Sequence, residues 1–163
     1  MIALKISDVK AFTSHLFVQQ TFDHFLVSEA TITTYNTFQI DGYLNREFYE
    51  GEDALALPHQ YSTWEQLRPL CFSLIKGKHL PLSFKFIFRL TDSQQEQLIH
   101  KSGEKQPNTI DAFFLHVLYK NNNITCITGS SARQFTLDKT PDQAWDQAIK
   151  EFLNEIALAW EIV

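Results

Sequence analysis

The 163-residue chain is poor in residues that punctuate or cross-link a fold: it has 5 glycines, 5 prolines, 2 cysteines and 1 methionine. So little glycine and proline excludes a collagenous or low-complexity chain. The two cysteines, Cys71 and Cys126, lie far apart and form no C-x-x-C pair, which excludes a cysteine-dense disulfide scaffold. They are expected to be reduced, buried thiols in a cytoplasm. No apolar run approaches the roughly 20 residues that cross a bilayer, so no membrane role is expected. The opening "MIALKISDVK" turns polar too soon for a secretory signal. No G-x-S-x-G, G-x-G-x-x-G or G-x-x-x-x-G-K-[ST] occurs, and the histidines at 15, 24, 59, 79, 100 and 116 never recur as H-x-x-x-H. Neither a metal site nor a cofactor is expected on these grounds, and the reading leans away from an enzyme.

Acids are missing from one long stretch. The chain carries a formal net charge of −5, yet residues 66–91 contain Arg68, Lys76, Lys78, Lys85 and Arg89 and no Asp or Glu. Outside that stretch, 9 basic groups stand against 19 acidic ones. A surface of that sign repels a long polyanion, so nucleic acid is a disfavoured partner. The exclusion of acids around Gly77 has a reason if an anion must bind there.

What is abundant is aromatic surface, with 14 phenylalanines. Aromatics favour strands and broad packing faces. "MIALKI" reads as a strand. Ser7 is placed to cap a helix that starts at Asp8, with Val9, Phe12, His15 and Leu16 on one face, ending near Gln19–Thr21. Two strands follow, joined near Tyr35-Asn36. The acidic stretch 47–53 and Pro58 mark a loop. Ser62 and Glu65 have capping-box spacing at the head of a helix. Pro69 should kink or restart that helix, and Gly77 is placed for a left-handed stop. Leu82, Phe84, Phe86, Phe88 and Leu90 alternate with Ser83, Lys85, Ile87 and Arg89, the clearest strand in the chain, with one apolar face. Thr91 caps a short helix to about Lys101, and 102–109 reads as a loop. Asp111–Tyr119 is apolar on both faces and is expected to be a central strand covered on both sides. Strands are expected at Ile124–Thr128 and Gln134–Leu137, with a bend at Gly129. Thr140-Pro141-Asp142 opens a helix whose stripe of Trp145, Ile149, Phe152, Leu153, Ile156 and Trp160 runs to the C-terminus. The expectation is one domain over 1–163. Its class is α+β: a mainly antiparallel sheet of about five to seven strands in hairpins, packed with N-terminal, central and C-terminal helices.

Three segments, "TFDHFLVSEATITTYNTFQIDG", "RPLCFSLIKGKHLPLSFKFIF" and "ITGSSARQFTLDKTPDQAWD", together resemble a family of small bacterial proteins of about this length. That family is catalogued only as a domain of unknown function. The resemblance covers most of the chain and implies a bacterial, cytosolic protein. It carries no functional residue onto this sequence.

Three functions are therefore expected to compete. The first is a ligand- or anion-binding module on the basic loop. Arg68 would supply a planar fork, Lys76 and Lys78 would supply point charges, and Arg133 in "TGSSAR" would be a weaker contributor. The second is a protein-interaction or scaffold domain, a homodimer included. The third is a hydrolase-type enzyme on the first hairpin, where Glu29 and Asp41 come opposite one another if the turn centres on Tyr35-Asn36, with Asp23 as a third carboxylate. Cys71 and Cys126 read as packing thiols.

Overall fold

The computed structural model describes residues 1–103 and 109–163. The loop expected at 102–109 falls largely on 104–108, which lie outside the described residues. Among the described residues, seven strands form one antiparallel sheet in the order β3-β2-β4-β5-β6-β1-β7. With five α-helices this is the α+β arrangement that the residue pattern implies.

Strand β1 (Ala3–Ile6) leads into α1 (Val9–Thr13), capped by Asp8, whose Oδ1 accepts from the Ala11 amide at 2.9 Å. The cap is thus one residue later than Ser7. A π-helical turn, Ser14–Val18, continues α1 and buries both Leu16 and Phe17. Strands β2 (Leu26–Thr33) and β3 (Thr37–Asp41) form the first hairpin, with Glu29 opposite Asp41. A 3-10 turn (Arg46–Phe48) and the one-turn α2 (Glu52–Leu55) occupy the acidic loop.

Helix α3 (Trp64–Ile75) is capped by a box of Thr63 and Gln66, not Ser62 and Glu65. It runs through Pro69 without interruption, so neither a kink nor a restart is needed to define it. The proline leaves only the Glu65 carbonyl without its amide donor. The helix ends at Lys76, which turns extended (φ −63°, ψ 141°), and Gly77 follows at φ 153°, away from the usual left-handed cap near +60°.

In β4 (Ser83–Arg89) Phe84, Phe86 and Phe88 are core as expected, with Leu90 buried just beyond, while Lys85, Ile87 and Arg89 are half-buried on the other face; Leu82, expected on the apolar face, precedes the strand and is exposed. Helix α4 (Asp92–Ser102) carries a second capping box, Thr91 with Gln94, and ends at left-handed Gly103. Strands β5 (Ile110–Lys120) and β6 (Asn123–Ala132) meet at Asn121 and Asn122, both at positive φ (52° and 57°), which suits a tight hairpin turn.

Three expectations are corrected. No strand forms at 134–137; β6 instead continues straight past Gly129, and Phe135 and Leu137 are 92% and 83% exposed. The last helix, α5 (Thr140–Glu155), stops short of the terminus. Ala157 (φ 57°) reverses the chain, and β7 (Trp160–Ile162) pairs with β1. Strand β5 is central, but it is covered on one face only. Phe113, Leu115 and Val117 are in the core, whereas Phe114, His116 and Leu118 are half-buried and lie outside it. An antiparallel sheet can leave one face to water, so apolar residues on both sides of a strand do not require two covering layers.

The core lies between one sheet face and the helices. Phe12 of α1, Leu16 and Phe17 of the π-turn, Trp64 and Cys71 of α3, Ile99 of α4 and Trp145, Ile149 and Leu153 of α5 join the strand residues in one cluster. The Trp64 ring sits 4.9 Å from Phe86 and donates its indole N–H to the Leu16 carbonyl at 2.8 Å.

Candidate functional site

Arg68 projects from α3 onto the turn that precedes β2. Its Nε donates to Asp23 Oδ1 at 2.8 Å and its Nη2 to Asp23 Oδ2 at 2.9 Å. The pair is mostly out of water, with side chains 18% and 12% exposed. These bonds, above all, raise the guanidinium pKa further above its ordinary value. The fork is therefore engaged within the chain and does not face the loop. Lys76 lies eight residues further on, about 12 Å along the helix axis. Lys76 and Lys78 are exposed, without an ion-pair partner among the described residues, and the structure does not bring Arg68 to them.

The loop carrying those lysines borders a cleft of about 1080 Å³. Ile75 and Leu80, on either side of residues 76–79, both line it. Its floor is aromatic: Phe17, Phe84 and Tyr119, with Phe84 and Tyr119 stacked at 4.9 Å and Phe17 edge-on to Phe84 at 5.6 Å. The rim includes Val18 and Leu80, which are 66% and 78% exposed. Lys10, also on the rim, has no ion-pair partner among the described residues. Two acids share the rim: Glu161 lies 3.6 Å from Lys5, and Asp8 accepts the Ala11 amide as the cap of α1. The net result is an aromatic-floored cleft with a polar rim that includes Lys10, and with Lys76 and Lys78 in the loop that joins two of its lining residues. Lys10, Phe17 and Tyr119 were not singled out from sequence, because the cleft joins chain segments more than 100 residues apart. A legible signal was Leu80, an apolar residue that falls in neither the helical spacing before it nor the strand alternation after it.

The remaining candidates are engaged elsewhere. Glu29 and Asp41 do face each other across β2 and β3. Glu29 accepts from Thr31 Oγ1 at 3.0 Å and pairs with Lys85 at 3.2 Å, while Asp41 accepts the Tyr43 amide at 3.0 Å. Asp23, the third carboxylate, is held by Arg68. Arg133 lies 3.8 Å from Asp111, and the Ser130 hydroxyl donates to Asp142. Cys71 and Cys126 are buried and free, and burial pushes both thiols up to about 12, which leaves them protonated and unreactive at neutral pH.

The described class is a seven-stranded antiparallel sheet, layered by helices on one face and cleft at one end by an aromatic-floored groove. The chain belongs to a family of unknown function, DUF5721, whose model matches residues 15–161. No curated protein and no solved structure matches it.

Proposed function

We propose that this protein is a ligand-binding module whose ligand is an amphiphilic anion: an apolar body in the cleft, with its charged end at Lys10, Lys76 and Lys78. The observation that carries the reading is the cleft itself, floored by Phe17, Phe84 and Tyr119 and lined by Lys10, with Lys76 and Lys78 in the loop between its lining residues Ile75 and Leu80. Pockets for small molecules are mostly apolar, with a few polar groups that orient the ligand. The acid-free stretch of sequence then has a cause. An acid beside Lys76 or Lys78 would neutralise the lip. Arg68 belongs to the scaffold of this site, bracing α3. A bacterial, cytoplasmic setting is part of the proposal. It rests on the sequence resemblance and on the two buried, unbridged thiols.

Octyl phosphate and octanoate test the reading, with octanol and inorganic phosphate as controls. Octyl phosphate or octanoate should raise Tm in phosphate-free buffer, because a ligand that binds only the folded state stabilises it by mass action. Neither control should do so to the same extent. Combined replacement of Lys10, Lys76 and Lys78 by Gln should leave the unliganded Tm unchanged and remove the shift. An absent shift with both octyl anions, or one that survives the triple replacement, refutes the site.

A further inference from the structure

The chain has four arginines, and three have an oxygen acceptor in the fold. Arg46 donates to the Ala54 carbonyl at 2.7 Å, Arg68 grips Asp23, and Arg133 lies 3.8 Å from Asp111. Arg89 has none among the described residues. Its guanidinium carbon instead lies 4.3 Å from the centroid of the Tyr61 ring and 5.7 Å from that of Phe114. Its Nε is shielded from solvent and has no hydrogen-bond partner. A polar N–H in that condition is costly until an acceptor arrives.

The clamp is fixed by backbone. Arg89 stands at the end of β4, between Leu26 of β2 and Phe114 of β5. Tyr61 is held across from Tyr43 by an isolated bridge, and their rings meet edge-on at 5.5 Å. The Ser62 amide donates to the Gly42 carbonyl at 2.8 Å, and the Val27 amide to the Ser62 carbonyl at 2.8 Å. This layering requires glycine at 42, since a Cβ there would fall 1.7 Å from the Val27 carbonyl oxygen. Along the same face lies Ile87, with His116 opposite it. The acids on that stretch of face are Glu29, engaged by Lys85 and Thr31, and Asp41 opposite it, which accepts the Tyr43 amide. Nothing on the described face competes for the Arg89 donors.

We propose that Arg89 anchors a second binding site, on the sheet face away from the helices, for a small ligand that carries a carboxylate or phosphate on an apolar body. The guanidinium edge matches two oxyanion oxygens at once, and stacking on Tyr61 orients that edge before the ligand arrives. Phe114 and Ile87 offer the adjoining apolar surface. Phe84, which floors the cleft, lies at the other end of β4, so this site stands or falls independently of the cleft.

Benzoate and phenyl phosphate are the probes, titrated into 15N-labelled protein while the arginine Nε–Hε resonances are followed. The Arg89 resonance should move saturably with at least one probe, and the Arg68 resonance should stay in place. Whichever probe binds more tightly identifies the headgroup. Benzyl alcohol should move nothing. Arg89→Lys keeps the charge and loses the fork, so binding reported by the Phe114 amide should weaken about tenfold. An Arg89 resonance that ignores both probes overturns the site, whether or not the variant folds. Equal response to inorganic phosphate and phenyl phosphate means an adventitious ion only, and also overturns it. Unweakened binding in Arg89→Lys removes Arg89 as the anchor.

Discussion

Arg68→Ala is expected to destabilise the fold, and the structure sets the scale. The change removes two charge-assisted hydrogen bonds of 2.8 and 2.9 Å. Each such bond contributes about 1.5–3 kcal/mol. It also strands the Asp23 carboxylate, whose side chain is 12% exposed. Removing one partner of a fully buried pair costs about 3–5 kcal/mol. Limited solvent access lowers this to about 2–4 kcal/mol here, or a fall in Tm on the order of 10 °C for a chain of this size. The assay is urea unfolding of Arg68→Ala, Asp23→Ala and the double variant. The double should cost less than the two singles summed, with a coupling of about 1–3 kcal/mol. Lys76→Gln and Lys78→Gln should leave the midpoint within about 0.5 kcal/mol, as exposed and unpaired residues do. A coupling near zero, with Arg68→Ala as stable as the parent, would refute the brace and return Arg68 to the pool of available cations.

Phe86→Ala should cost about 3–5 kcal/mol, since the ring is fully buried among Trp64, Phe84 and Phe17; a measured loss under about 1 kcal/mol would place β4 outside the core. Gly42→Ala should cost roughly 3 kcal/mol or more, because the new methyl overlaps a carbonyl and forces β3 from β2; a variant of normal stability would mean the strands separate freely there. Stability should also fall on acidification. His24 and His116 are both held below the ordinary 6.5, chiefly by burial. Lys85 lowers His116 further, while Glu29 opposes the shift, as the Thr21 hydrogen bond and Asp23 do for His24. The unfolded chain therefore binds more protons, so their contribution is full above 6.5 and is lost as pH falls through the depressed folded values. His24→Gln with His116→Gln should flatten that slope between pH 7 and 5, and an unchanged slope would assign it to other groups.

The elements legible in sequence are those whose period is local. The Phe84, Phe86 and Phe88 alternation, the Thr91 cap and the Tyr35-Asn36 turn all depend on neighbours a few residues away, and each stands where its pattern places it. Strand β7 was hidden because Trp160 continues the helical spacing of α5, and only the reversal at Ala157 breaks it. The apolar residues at 134–137 looked like a strand, yet the hairpin partner they needed is taken by β6 running to Ala132. The site was less legible for the same reason. The positive charge of 66–91 is a local fact, but its division is tertiary. Asp23 claims Arg68 across 45 residues, Glu29 claims Lys85 across two strands, and Tyr61 stacks on Arg89. Lys76 and Lys78 are left beside a cleft whose far wall, at Tyr119 and Asn122, no local pattern announces.

The placement of β1 has a consequence for how the molecule is made. Its neighbours in the sheet are β6 and β7, so residues 3–6 wait for partners at 123–132 and 160–162, far later in the chain. Hairpins β2–β3 and β5–β6 can zip as they emerge, but β1 must hold Leu4 and Ile6 in solution until β6 and β7 have been made. Such long loop closure slows folding and leaves apolar strand edges unpaired meanwhile.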